Sequence, residues 1–220
     1  MPFKLLAVLA ALYALLAPAS YAQSVVQPGA PGQPSKSVSA TQAAAPQRPP
    51  SKADVEFMQG MIMHHGQAVE MTRLLKVQGA SPALLELGKR IEISQTDEMG
   101  FMKRWLRDRG LPLTAPMDMP GMSAADMAKM DMSDMMAPMP GMLTKAQMAA
   151  LRQAHGKQFD HLFLTGMIQH HTGALTMVKA LFDTPGAAQD PWLFDFTSDV
   201  DNTQTAEIDI MRNMIAKENK

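Results

Sequence analysis

Phe57-Met58-Gln59-Gly60-Met61-Ile62-Met63-His64-His65-Gly66-Gln67-Ala68-Val69-Glu70-Met71 returns, 106 residues later, as Phe163-Leu164-Thr165-Gly166-Met167-Ile168-Gln169-His170-His171-Thr172-Gly173-Ala174-Leu175-Thr176-Met177. The copies share their Phe, Gly, Met-Ile, His-His and final Met, and Asp54 recurs as Asp160. Gln95-Thr96-Asp97-Glu98-Met99 is echoed in the same way by Gln204-Thr205-Ala206-Glu207-Ile208, at an offset of 109, so the second copy has a loop three residues longer. A two-helix unit that occurs twice reads as an all-α four-helix bundle.

Capping signals place the element ends. Ser51 stands where an N-cap belongs, Gly79 closes the first helix, and Ser81-Pro82 offers N-cap and N1 for the second. Gly110 and Pro112 stop that helix, Thr144-x-x-Gln147 is a capping-box pattern, and Asp190-Pro191 opens the last. Helices are expected over 52–78, 82–109, 144–182 and 191–217, and no stretch alternates as a strand. The bundle domain then spans 52–217, with repeats at 52–110 and 144–217 joined by a linker at 111–143. About ten extended residues cross a bundle roughly 30 Å long. Up-down order and a crossover connection therefore both remain open.

The N-terminal stretch reads as an export signal. Lys4 precedes a 13-residue apolar run, Leu5 to Ala17, and Ser20 and Ala22 place small residues for cleavage after Ala22. That run is too short for a spanning helix, which wants about 20 apolar residues. Residues 23–51, rich in Pro, Ala, Gln and Ser, bury too little apolar surface to order and are expected to be a disordered linker. The chain is thus expected outside the cytoplasm, periplasmic or extracellular, with no membrane span after cleavage.

Composition excludes several functions. Of 220 residues, 20 are basic and 21 acidic, a net charge of −1, which leaves no nucleic-acid footprint over the chain. Cysteine is absent, so disulfides, thiolate metal sites and cysteine nucleophiles are ruled out. No nucleophile–base pattern, phosphate loop or nucleotide fingerprint occurs. Methionine is far out of line, at 22 residues.

The His pairs look like metal ligands. At about 100° per residue, Asp54, Phe57, Met58, His64, His65, Ala68, Met71 and Leu75 all fall within about 80° of Met61 on one helical face. Asp160, Phe163, Met167, His170, His171, Ala174 and Met177 form the matching face. Glu98, Glu207, Gln95 and Gln204 fall on the apolar faces of the other two helices. A lone core histidine is usually satisfied by a hydrogen bond. Four in two adjacent pairs beside methionine point to His64, His65, His170, His171, Met61, Met167, Met71 and Met177 as a metal site, since buried imidazoles are costly without partners. Thioether with imidazole suits Cu(I), whereas imidazole alone suits Cu(II), Zn, Ni or Fe. Neither Glu98 nor Glu207 has a histidine three residues on, unlike carboxylate di-iron bundles.

The linker carries its own sulfur. Ala115 to Met142 holds ten methionines in 28 residues, and Met-Pro-Gly-Met occurs at 119–122 and 139–142. Met117, Met119, Met122, Met139 and Met142 are candidates for a secondary, more exposed capture site. Gap-filling, partner contact and oxidant scavenging are the competing uses of such methionines.

These motifs resemble the domain-of-unknown-function family numbered 305. The resemblance rests on Asp54…Phe57-x-x-x-Met61-Ile62-x-His64-His65-x-x-Ala68-x-x-Met71, on Phe159-Asp160…Met167-Ile168-x-His170-His171-x-Gly173-Ala174, and on Met139-Pro140-Gly141-Met142. It implies an exported, ferritin-like bundle, with some members tied to copper binding and resistance. The expectation is a periplasmic protein that buffers or hands over copper, favouring Cu(I) or Ag(I), to or from a copper-exporting or copper-accepting protein. Two rivals stand beside it. One is a ferritin-like metal oxidase using His155, His161, Asp160, Glu98 or Glu207 as added donors. The other is a structural or partner-binding bundle.

Overall fold

A computed structural model of the chain describes residues 24–27, 36–39, 48–115 and 139–218. Near the N-terminus, β1 (Ser24–Gln27) and β2 (Lys36–Ser39) pair antiparallel, with Ser24 opposite Ser39 and Gln27 opposite Lys36. The sequence pattern predicts no strand there. Val25, Val26 and Val38 supply the β-branched residues that suit one.

Residues 48–218 form the bundle. Its helices are α1 (Lys52–Leu74), α2 (Pro82–Asp108), α3 (Lys145–Gln153), α4 (Gly156–Phe182) and α5 (Pro191–Glu218). The expected caps are in place, although the Ser81 side chain makes no capping hydrogen bond. Ser51 and Asp54 close a capping box at α1, Thr144 and Gln147 close one at α3, and Pro82 opens α2 directly after Ser81. Gly110 turns the chain at φ 67° after α2.

Two boundaries differ from expectation for one shared reason. The helix expected over 144–182 is two helices, because Ala154 and His155 are extended and Gly156 takes φ 53°. The break is held from α1's end: the Gly156 amide donates to the Gln78 carbonyl at 3.0 Å, and Gln78 Nε2 donates to the Arg152 carbonyl at 2.7 Å. Gln78 is drawn into that contact, so α1 stops at Leu74 rather than reaching 78.

Contacts fix the helix directions. His65 meets Glu98 and Leu75 meets Gly88, so α1 and α2 are antiparallel; His171 meets Glu207 in the antiparallel pair α4–α5. Met71 lies against Gly166 and Met177 against Gly60, so α1 and α4 also run antiparallel. Consequently α2 and α4 point the same way, and the linker is a crossover. Its ends agree: Gln59 Nε2 donates to the Pro112 and Thr114 carbonyls near the start of α1, whereas Gly156 meets Gln78 beyond α1's end.

The interior is layered. One apolar cluster gathers Met71, Leu75, Leu84, Leu87, Ile91, Phe159, Phe163, Met167, Ile208 and Met211. A second gathers Phe57, Met58, Met61, Met102, Trp105, Leu106, Val178, Leu181, Phe196 and Val200. Between them along every long helix lies a polar layer: His64 and His65, Gln95 and Glu98, His170 and His171, Gln204 and Glu207. The repeats grip each other symmetrically. Asp160 accepts from the Ser81 amide before α2, and Asp54 accepts from the Ala188 amide before α5, at 2.7 Å.

Candidate metal centre

All four histidines are wholly buried in the polar layer. Their adjacent positions on α1 and α4 turn one ring of each pair toward the facing helix and the other toward the hairpin partner. The His64 and His170 rings approach to 3.9 Å between centroids, whereas rings within each pair stand 6.4 Å (His64–His65) and 6.1 Å (His170–His171) apart.

Every Nε2 meets an oxygen. His64 Nε2 donates to the Pro140 carbonyl at 2.9 Å, and His170 Nε2 donates to the His64 carbonyl at 2.8 Å. His65 Nε2 bonds Glu98 Oε2 at 2.6 Å, and His171 Nε2 bonds Glu207 Oε2 at 2.7 Å. A carbonyl only accepts, so Nε2 carries the proton on His64 and His170. Burial, reinforced by the neighbouring histidines, pushes the His64 ring down to about 4 and holds His170 well below the usual imidazole range. Both are therefore neutral at pH 7, with a bare Nδ1.

Nδ1 of all four rings is buried without a hydrogen-bond partner. A buried polar atom left so costs roughly 1–3 kcal/mol. Four aligned instances on a repeated motif are hard to attribute to folding. Gln95 Oε1 and both amide atoms of Gln204, in the same layer, are likewise unpartnered. An Nε2–H fixed by a carboxylate or carbonyl, with Nδ1 free, is how proteins set a histidine to ligate a metal.

Among the described residues, no three His, Asp or Glu side chains stand close enough together to hold one ion.

The methionines lie on both sides of the layer. Met71 and Met167 are buried in one apolar cluster and Met61 in the other, against which the half-buried Met177 also packs. Met139 and Met142 lie in a short strap before α3 that crosses the histidine layer. Gln67 clamps the strap through the amide and carbonyl of Leu143, and Gln169 donates to the Gly141 and Met142 carbonyls. Gly141 and Gly173 touch so closely that a Cβ on Gly173 would fall 2.0 Å from the Pro140 oxygen. Met117, Met119 and Met122 lie outside the described residues.

Three donors named for the oxidase reading sit elsewhere. His155 is the exposed residue before α4, His161 is exposed, and the Asp160 carboxylate is engaged by the Ser81 amide. Sequence reasoning put Glu98 and Glu207 on inward faces but did not assign them to His65 and His171. The repeated Gln-Thr-x-Glu was the available signal. The Pro140 carbonyl as partner of His64 had no signal beyond the Met-Pro-Gly-Met motif.

Comparison with known proteins agrees with this architecture. A crystal structure of a DUF305 fragment from Deinococcus radiodurans superposes with a TM-score of 0.62 at 25% identity, covering 77% of this chain and 99% of that one. A DUF305 protein from Streptomyces coelicolor, described as predicted to be secreted, gives a TM-score of 0.62 at 28% identity over 76% of this chain and 94% of its own. CopM in its Cu(II)-bound form gives 0.55 at 26% identity over 74% of this chain and 96% of that one. CopM has also been solved with Ag bound, at 25% identity and a TM-score of 0.53, and with Cu(I) bound. No match was found among curated proteins. The domain-of-unknown-function family DUF305 matches residues 54–215, and the chain belongs to that family.

Proposed function

We propose that this protein is an exported copper-binding protein that takes up Cu(I), or Ag(I) in its place, at the buried histidine layer, and buffers or passes on the ion without transforming it. One observation carries the reading: four buried imidazoles have Nε2 committed to oxygen and Nδ1 without a hydrogen-bond partner. His64, His65, His170 and His171 are the nitrogen ligands, no more than two of them to one ion, with Met61, Met167, Met71 and Met177 as sulfur donors above and below them. Met117, Met119, Met122, Met139 and Met142 provide weaker capture nearer the surface. Residues 1–22 direct export and are removed after Ala22. Among the described residues no helix is long and apolar enough to cross a membrane, which fits that route. The copper and silver forms of CopM support copper or silver as the class of ion. The oxidase reading is disfavoured, because Glu98 and Glu207 are turned to histidine and Asp160 to a backbone amide.

Thermal melts under anaerobic reducing conditions test the reading. An ion that binds only the folded chain adds about 2.7 kcal/mol at a hundredfold excess over its dissociation constant. Cu(I) and Ag(I) are expected to raise the melting temperature, and Zn(II) and Fe(II) are not. A rise with Fe(II) or Zn(II) alone, or with none of the four, overturns it.

A further inference from the structure

The two repeats make matching contacts on either side of the histidine layer, and the strap breaks that match. Gly60 on α1 corresponds to Gly166 on α4, and Met71 corresponds to Met177. Each glycine faces the other repeat's methionine. A Cβ on Gly60 would lie 3.5 Å from Met177 Cε, and a Cβ on Gly166 would lie 3.3 Å from Met71 Cε. The strap covers both glycines with unlike side chains. Met139 Sδ comes to 3.5 Å from the Gly60 position, whereas Leu143 Cδ2 comes to 3.0 Å from the Gly166 position. One edge of the layer thus brings two thioethers together, and the other pairs a thioether with an isobutyl group. Exposure follows the same division: Met139 and Met177 are half-buried, but Met71 and Leu143 are buried.

We propose that Met139 and Met177 form a two-thioether loading site for a soft monovalent cation at the Gly60 edge, from which the ion passes to the histidines. The proposal rests on the copper-binding reading above and adds a route and a side to it. The histidines are wholly buried, so an ion needs a first ligand that water also reaches. Met139 Sδ and Met177 Cε both lie 3.5 Å from one point, and are therefore no more than 7 Å apart, which a rotamer change spans. Neutral thioethers release no proton on binding and select Cu(I) and Ag(I) over hard cations. Met139 is also one residue from Pro140, whose carbonyl holds His64, so the first ligand is joined directly to the nitrogen layer.

The test titrates silver nitrate into the full chain carrying 13C-methyl methionine and 15N histidine. At less than one equivalent, the methyl signals of Met139 and Met177 are expected to shift together, and the histidine ring nitrogens to follow. Met139→Leu, which keeps the volume, should abolish the Met177 shift and slow the histidine response several-fold. Histidine shifts with both methyls unmoved overturn the loading site and leave the histidine reading intact. Methyl shifts without any histidine response overturn both the transfer and the histidine reading.

Discussion

Gly173→Ala tests whether the strap is a built part of the site. In the wild-type chain the Pro140–Gly141 backbone lies directly on α4 at Gly173. An added Cβ would meet the Pro140 oxygen at 2.0 Å, the Pro140 carbonyl carbon at 2.4 Å and the Gly141 Cα at 2.5 Å. All three are backbone atoms, so no rotamer change relieves the clash, and the strap must lift. Overpacking of this kind costs about 1–3 kcal/mol. Lifting also breaks the bond from His64 Nε2 to Pro140 and the two from Gln169 to Gly141 and Met142. These lose roughly 1 kcal/mol net each, less whatever water restores. We expect an overall loss of about 2–4 kcal/mol in urea unfolding of the ion-free chain, with faster hydrogen exchange at the strap amides. Gly66→Ala is the control. It is an exposed helical glycine with nothing within 4 Å of an added Cβ, and should gain about 0.5–1 kcal/mol from helix propensity. A Gly173→Ala chain within about 0.5 kcal/mol of wild type would refute the reasoning.

Three further outcomes are expected. His64 takes up its proton at about 4 in the folded chain against 6.5 ordinarily, so between these pH values the unfolded chain binds more protons. Its stabilising effect is full above 6.5 and lost as pH falls toward 4, by about 3 kcal/mol for His64 alone, with His170 acting in the same direction. Urea midpoints of the ion-free chain that stay flat between pH 7 and 4 would contradict this. Glu98→Gln and Glu207→Gln leave an acceptor for His65 and His171 Nε2 but remove the charge that makes the ring a stronger ligand. Competition against a chromophoric Cu(I) chelator should show about 10–100-fold weaker binding for each, with little change in stability. Asp54→Ala and Asp160→Ala remove the reciprocal grips on Ala188 and Ser81, and each should cost about 1–3 kcal/mol in the same unfolding assay.

Much of this arrangement was legible in the sequence because it is written twice. The repeated Phe-x-x-Gly-Met-Ile-x-His-His established the helix pairs and the inward faces, and capping residues located most ends within a few residues. The break at Ala154–His155 was not legible. It depends on Gln78, a residue 76 positions before the break, reaching both Arg152 and Gly156. The crossover was equally hidden, since linker length permits either order and it takes contacts such as Met71–Gly166 and Met177–Gly60 to decide. Within the layer, helical periodicity could turn His65 and Glu98 inward but could not pair them, because pairing depends on how two helices register against each other.

The layered interior also explains how a stable bundle tolerates so polar a centre. Apolar clusters above and below supply the burial that holds the helices together; hairpin contacts fix the His65 and His171 rings through Nε2, and the strap and the facing helix fix His64 and His170. What folding leaves over is four buried Nδ1 atoms without a hydrogen-bond partner. Ligand binding would satisfy them, which ties the affinity of the site to the rigidity of its Nε2 partners.

The most direct measurement is of those nitrogens. Long-range 1H–15N spectra of histidine-labelled chain at pH 7 distinguish protonated from bare ring nitrogens, before and after anaerobic addition of Ag(I) or Cu(I). The account predicts Nε2–H and bare Nδ1 at His64 and His170 without the ion, and a shift of the Nδ1 signals of His64, His65, His170 and His171 when it is added. Protonated Nδ1 at His64 or His170 in the ion-free chain, or Nδ1 signals unmoved by either ion, would contradict it.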